Sequence, residues 1–203
     1  MKLYQFAYSP YAAKVRKYLE IQRRPFDVIE VPYMERNDIA KLSGQIVLPV
    51  LVDGAAVIAD SARITAYLDG PARDASAVVY EQWADSILED VAFRLASPAV
   101  EKKLTDLNHG REDARAMYRF IKERKFGTGC IDAWAASSQE LTAKLRALLA
   151  PLAHKLEAQP FLLGEFPTLA DAAVWGNLHM LDWAMPGWVA REAPEVAGWY
   201  GRL

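Results

Sequence analysis

The stretch Val47-Leu48-Pro49-Val50-Leu51-Val52-Asp53-Gly54-Ala55-Ala56-Val57-Ile58-Ala59-Asp60-Ser61-Ala62-Arg63-Ile64 carries the architecture of the first third of the chain. Two short apolar, β-branched runs, at 50–52 and 57–59, flank Asp53-Gly54, a tight-turn dipeptide, so the spacing predicts a β-hairpin. Pro49 stands at the opening of the first strand, where a missing N–H is tolerated. Asp60-Ser61 then precedes a helical pattern over 62–68, and both residue types suit an N-cap and first turn.

Upstream, residues 2–6 read as a strand and 10–21 as a helix, with Ala12, Val15 and Leu19 at helical spacing. Lys14, Lys17 and Glu20 fall mostly off that apolar stripe. Ser9 is a favoured N-cap and Pro10 a favoured first helical residue. Arg24-Pro25 ends the helix, 26–31 reads as a second strand, and 36–42 as a weaker helix. A βαβ unit followed by ββα gives a mixed sheet with helices packed on it.

Downstream, Asp69-Gly70-Pro71 marks a boundary, because Gly suits a helix C-cap and Pro blocks continuation. All six Trp lie beyond residue 80. That shift in composition divides the chain into a mixed domain over 1–72 and an all-helical domain over 73–203. Helices are expected near 77–97, 111–126, 138–158, 168–184 and 188–200, with connections at 97–110 and 127–136. Thr168-Leu169-Ala170-Asp171 fits a capping box ahead of a segment apolar on nearly every side, which reads as a buried central helix.

The 203 residues include 24 Lys and Arg against 26 Asp and Glu, a net charge of -2. Phosphate neutralisation needs a basic surplus, so nucleic acid is not an expected partner. A single cysteine, Cys130, excludes an internal disulfide framework and a four-thiolate metal site. The basic N-terminal region has no apolar segment of signal-peptide type, and no run of about 18 apolar residues occurs. The expectation is a soluble cytoplasmic protein without a membrane span. His109, His154 and His179 show neither ligand nor triad spacing, so no metal is expected.

Three segments, Ser9-Pro10-Tyr11-Ala12, Val47-Leu48-Pro49-Val50-Leu51 and Ile58-Ala59-Asp60-Ser61-Ala62-Arg63-Ile64, occur in order with Phe161-Leu162-Leu163-Gly164 and Thr168-Leu169-Ala170-Asp171. Together they resemble a cytosolic glutathione transferase of the serine type, over residues 3–181. The resemblance implies a thioredoxin-like βαβαββα N-terminal domain, an all-helical C-terminal domain, a homodimer, and glutathione as co-substrate for a detoxifying transferase.

It also implies roles for particular residues. Ser9 would donate a hydrogen bond to the glutathione sulfur and is the catalytic candidate. A thiolate beside a helix N-terminus gains from the dipole and free N–H groups, and the charge-assisted bond adds about 1.5–3 kcal/mol. Tyr8 or Tyr11 are the alternative sulfur donors. Leu48 and Pro49, through a cis bond, would present the Leu48 backbone to the cysteinyl part of the tripeptide as an added strand. Asp60 would pair with the γ-glutamyl ammonium and Ser61 would take its α-carboxylate at the helix start.

A small hydrophobic electrophile would bind between the domains, near Tyr8, Tyr11, Phe93, Tyr118 and Phe120. One position departs from the family pattern: Val47 stands where many members carry Lys or Gln for the glycyl carboxylate, leaving Gln45, Lys41 or Arg36 to substitute. Ser9-Pro10-Tyr11-Ala12 also resembles the Cys-Pro-Tyr-Cys motif of glutaredoxins with both thiols missing, which argues against disulfide exchange. The rivals to a transferase are a glutathione-dependent isomerase and a binding module of the same fold without turnover.

Overall fold

The structure is a computed structural model, and its description covers residues 1–107 and 110–203. The chain begins β1 (Lys2–Gln5), α1 (Pro10–Ile21), β2 (Asp27–Glu30), α2 (Asn37–Ser43), β3 (Val50–Asp53), β4 (Ala56–Ala59) and α3 (Ser61–Asp69). The four strands form one mixed sheet in the order β2-β1-β3-β4. β1 runs parallel to β2 and antiparallel to β3, with Leu3 opposite both Val28 and Leu51. β3 and β4 form the expected hairpin, Val50 opposite Ala59 and Asp53 opposite Ala56. Gly54 takes φ 59° in the turn, a conformation open to Gly at little cost.

This topology brings three chain segments to one end of the sheet. β1 and β4 end there and β3 starts there, so the residues after Gln5, before Val50 and after Ala59 lie side by side. Asp60 N–H donates to the Pro49 carbonyl at 3.3 Å and fastens two of them together. Beneath them Ile39, Val50 and Ala59 form a small buried cluster with Leu42 and Leu48 against it, which seats α2.

A 3₁₀ turn (Gly70–Ala72) leads to the helical part: α4 (Ala75–Trp83), α5 (Glu89–Leu107), α6 (Glu112–Phe126), α7 (Cys130–Ala136), α8 (Ser138–Ala158), α9 (Leu169–Ala184), α10 (Trp188–Glu192) and α11 (Pro194–Arg202). α9 is the central helix. Its N-terminus carries the expected capping box, and Asp171, fully buried, also accepts from Leu162 N–H and the Trp199 indole, each at 2.9 Å. α9 crosses α1 so closely that a Cβ on Gly176 would sit 2.5 Å from the Pro10 carbonyl oxygen and 2.8 Å from Lys14 N. One continuous core joins Leu3, Val15, Leu51 and Ile64 of the sheet region to Leu95, Val174 and Leu178 of the helices. Each such aliphatic side chain contributes about 1.5–3 kcal/mol by leaving water.

Several expectations are corrected. The segment 97–110 is helical through Leu107, because Val100 and Leu104 are buried and their packing outweighs the break at Pro98. Its Asn108 and His109 lie outside the described residues. The segment 127–136 contains α7, too short to show a period and held by buried Ile131 and Trp134. The helix expected at 188–200 is two helices, divided at Ala193 with Pro194 opening the second. Lys14 and Lys17, off the apolar stripe, are nevertheless buried, since α9 packs along α1, Glu81 and Asp85 meet Lys14, and the Trp175 ring and the Leu203 carbonyl meet Lys17.

Lys14 and Glu81, both buried, form the centre of an ionic knot whose outer members, Asp85 and Arg73, are partly exposed. The Lys14 ammonium lies 2.9 Å from Glu81 and 2.5 Å from Asp85; Arg73 reaches Glu81 at 2.5 Å, and Thr65 donates to Glu81 at 2.8 Å. Asp85 is placed by a π-type turn, Ala84–Leu88, between α4 and α5. That turn alters the backbone bonding pattern: Asn177 donates to the Ala84 carbonyl at 3.3 Å and Tyr11 O–H to the Asp85 carbonyl at 3.5 Å.

Candidate functional site

Ser9 is the N-cap of α1. Its backbone is extended, and its Oγ accepts from Ala12 N–H at 3.3 Å, so the hydroxyl hydrogen stays free to donate elsewhere. The Leu48-Pro49 bond is cis. β3 pairing with β1 stops at Val50, which leaves the Leu48 N–H and C=O beyond the ladder. Asp60, at φ 82°, caps α3 by accepting from Arg63 N–H at 3.1 Å, and Ser61 is the first helical residue. The α3 first-turn amides have no partner within the helix, so the dipeptide sets a carboxylate beside backbone donors.

Ser9 also lines a cavity of ≈ 380 Å³ between the sheet end and the helices. Tyr8, Tyr11, Phe93 and Tyr118 line it too, so the structure brings these four together with Ser9. Leu48, Pro49, Asp60 and Ser61 are not part of that lining and sit along the neighbouring sheet end. Phe120 is corrected: it lies on the outer face of α6, exposed, while Ile121 and Lys122 of the same helix meet the cavity.

The cavity wall is aromatic but charged. Tyr8 stacks on Phe6 at 5.3 Å and tilts against Trp183 at 5.6 Å. Its hydroxyl is buried without a hydrogen-bond partner among the described residues, and burial, with Tyr33, Tyr118 and Glu30 near, holds it firmly protonated. Tyr11 is pushed up by burial and by the Glu89 and Asp85 carboxylates. Burial lifts Glu89 to about 6, against the pull of Lys125 and Lys122. Burial lowers Lys122 to about 8, helped by Lys125. Its ammonium lies 4.7 Å from the Phe93 ring centre and 4.8 Å from that of Tyr118. Tyr118 O–H donates to Ser97 at 3.1 Å.

Sequence reasoning missed Glu89 and Lys122. The signal for both was a polar residue inside an amphipathic helix, which ordinarily means a solvated face. Val47 is exposed, Lys41 pairs with Asp38 at 3.1 Å, and Gln45 is exposed. Of the substitutes considered, Arg36 alone lines the cavity, its guanidinium 4.9 Å and 4.4 Å from the Phe6 and Tyr33 ring centres. Cys130 is buried at the start of α7, and burial raises its thiol. His154 is exposed. His179 stacks on Trp175 at 4.6 Å, meets Arg16 at 2.8 Å, and is held down to about 4 by burial and by Arg16 and Lys17. Among the described residues no His, Cys, Asp and Glu side chains gather as a metal group requires, and no helix is long and apolar enough to cross a membrane.

Comparison with known proteins places this geometry. Residues 3–75 match the glutathione S-transferase N-terminal domain and residues 135–202 the glutathione S-transferase C-terminal domain. A solved glutathione S-transferase of Ceriporiopsis subvermispora in complex with glutathione is similar with a TM-score of 0.79, at 19% identity over 98% of this chain and 96% of that one. Glutaredoxin 2 of Salmonella typhimurium, also in complex with glutathione, is similar with a TM-score of 0.71, at 20% identity over 98% and 94% of the two chains. Prostaglandin E synthase 2 of Danio rerio is 22% identical over an alignment spanning 100% of this chain and 70% of that protein. Matched in order by both domains over more than half its length, the chain belongs to the glutathione S-transferase family.

Proposed function

We propose that this protein binds glutathione along the sheet end and presents its sulfur, as thiolate, to a small electrophile with an apolar body held in the adjoining cavity. The observation that carries this reading is the position of Ser9. It lies at the α1 N-terminus, on the cavity wall, beside the segments holding Leu48-Pro49 and Asp60-Ser61.

Each residue then has a distinct task. The Leu48 N–H and C=O pair with an extended peptide as a further strand would. The Asp60 carboxylate takes the ammonium, and Ser61 with the first-turn amides of α3 takes the α-carboxylate. Ser9 donates its free hydrogen to the sulfur, and the α1 N-terminus favours the anion. No cysteine occupies residues 9–12, so thiol exchange has no protein nucleophile there. The carbon–sulfur bond forms at the electrophile and a leaving group departs; the thiol proton goes to solvent.

Millimolar glutathione is expected to raise the melting temperature, and 1-chloro-2,4-dinitrobenzene to be converted to its thioether with release of chloride. Ser9→Ala is expected to lower kcat/KM about ten- to a hundredfold, the value of one charge-assisted hydrogen bond, and to cost about 1 kcal/mol of stability through the lost cap. Absence of any thermal shift with glutathione would sink the reading. Unchanged turnover in Ser9→Ala would move the sulfur contact to Tyr8 or Tyr11.

A further inference from the structure

The cavity is charged in a way that a purely apolar ligand would not use. Lys122 from α6, Arg36 from the segment before α2, and Tyr8 from the β1–α1 loop line it from different elements. Lys122 has aromatic rings beside its ammonium and no carboxylate within 4.0 Å among the described residues. The Arg36 guanidinium lies over Phe6 and Tyr33, and its Nε donates to the Tyr33 carbonyl at 2.9 Å; it too forms no ion pair there. The Tyr8 hydroxyl is a buried donor without a partner among the described residues. The acidic residues of the lining do not cancel this excess. Asp90 is engaged by Arg94 at 2.7 Å, which leaves Glu89 as one carboxylate against three cations of the lining, Arg36, Lys122 and Lys125.

A desolvated ammonium such as that of Lys122 and an unsatisfied hydroxyl cost free energy unless an acceptor meets them. A ligand without an acceptor filling this space would strip their remaining water and return nothing, and a neutral acceptor would return less than an anionic one. A carboxylate would accept from the ammonium, the guanidinium and the phenol, while Phe6, Phe93, Tyr33 and Tyr118 cover an apolar or aromatic body. We infer that the cavity beside Ser9 is built for an acidic ligand, an aromatic or other apolar molecule bearing one carboxylate, which Lys122, Arg36 and Tyr8 hold. As the identity of the electrophile, this rests on the transferase reading above; as a binding site, it stands apart from it.

The test is calorimetric and needs no turnover. 2-Naphthoate and its neutral analogue 2-naphthamide are titrated into the full chain. Naphthoate is expected to bind at least tenfold more tightly. Lys122→Met should erase that preference and Lys122→Arg should keep most of it, with melting curves confirming that each variant folds; Tyr8→Phe, which removes only the hydroxyl, should reduce it severalfold and serves if Lys122→Met does not fold. Equal affinity for the two ligands, binding of neither at millimolar concentration, or a full preference surviving in Lys122→Met overturns the proposal. A tenfold loss of glutathione affinity in Lys122→Met with the naphthoate preference intact would assign Lys122 to the tripeptide and overturn it as well. A missing glutathione thermal shift beside a clear naphthoate preference defeats the transferase reading alone. Turnover of the neutral chloronitrobenzene without that preference defeats the acid site alone.

Discussion

Two groups of charges, one around Lys14 of α1 and one around Lys122 of α6, behave oppositely. Around Lys14, every charge has a counter-charge in contact: Glu81 and Asp85 hold the ammonium, and Arg73 and Thr65 occupy the rest of Glu81. Around Lys122, the cations face a cavity and meet aromatic rings in place of carboxylates. The first group fixes α1 to α4, and therefore sets where Ser9 sits relative to the helical part. The second is left with bonding capacity to spend on something outside the chain. Paired buried charge reads as architecture; unpaired charge at a cavity wall reads as recognition.

Substitutions at the two lysines should separate them by sign. Lys14→Met strands Asp85 and part of Glu81 in the interior, and about 3–5 kcal/mol of stability should be lost in chemical denaturation. A variant within 1 kcal/mol of the parent would break the contrast. Gly176→Ala tests the same α1 seam without altering charge. A methyl group 2.5 Å from the Pro10 carbonyl must push α1 away from α9, so a loss of about 1–3 kcal/mol is expected, with weakened glutathione binding because Ser9 moves with the helix.

Lys122→Met should move stability the other way. Burial holds the folded-state value at about 8 against the ordinary 10.5, so the charged form is disfavoured in the folded chain at neutral pH. Removing the charge should stabilise by up to about 3 kcal/mol at pH 7. Between pH 8 and 10.5 the folded lysine has released its proton while the unfolded one retains it. The parent therefore gains stability as pH rises through that window, and its gap to the variant closes. Denaturation curves at pH 7 and pH 10 measure this; a constant gap would mean that Lys122 is not desolvated.

Much of this was legible along the chain because it is encoded locally. The strand and helix order through residue 69 follows from period and punctuation: Asp53-Gly54 makes its hairpin, and Ser9, Asp60 and Thr168 cap their helices with their own side chains. α1 and α8 occupy the residues expected of them, Pro10–Ile21 and Ser138–Ala158. Where local signals conflicted with packing, packing won. Ser97-Pro98 reads as a helix end, yet α5 passes through it because Leu95, Val100 and Leu104 are buried. α7 has seven residues and no period to detect, and exists because Ile131 and Trp134 are covered by neighbours.

The candidate site divides along the same line. Ser9, Leu48-Pro49 and Asp60-Ser61 stand out in sequence because each carries its own turn or cap chemistry, and the family resemblance rests on those same short segments. Glu89 and Lys122 carry no such mark. A charged residue on an amphipathic helix reads the same whether its face meets solvent or a cavity. By itself the sequence determined the order of elements and the caps and turns at Ser9, Asp53-Gly54, Asp60 and Thr168, because these depend on neighbours a few positions apart. Only the tertiary structure decided which lysine is sealed in a knot and which is left facing a cavity. That depends on what distant helices bring within a few ångströms, and on how much water they exclude.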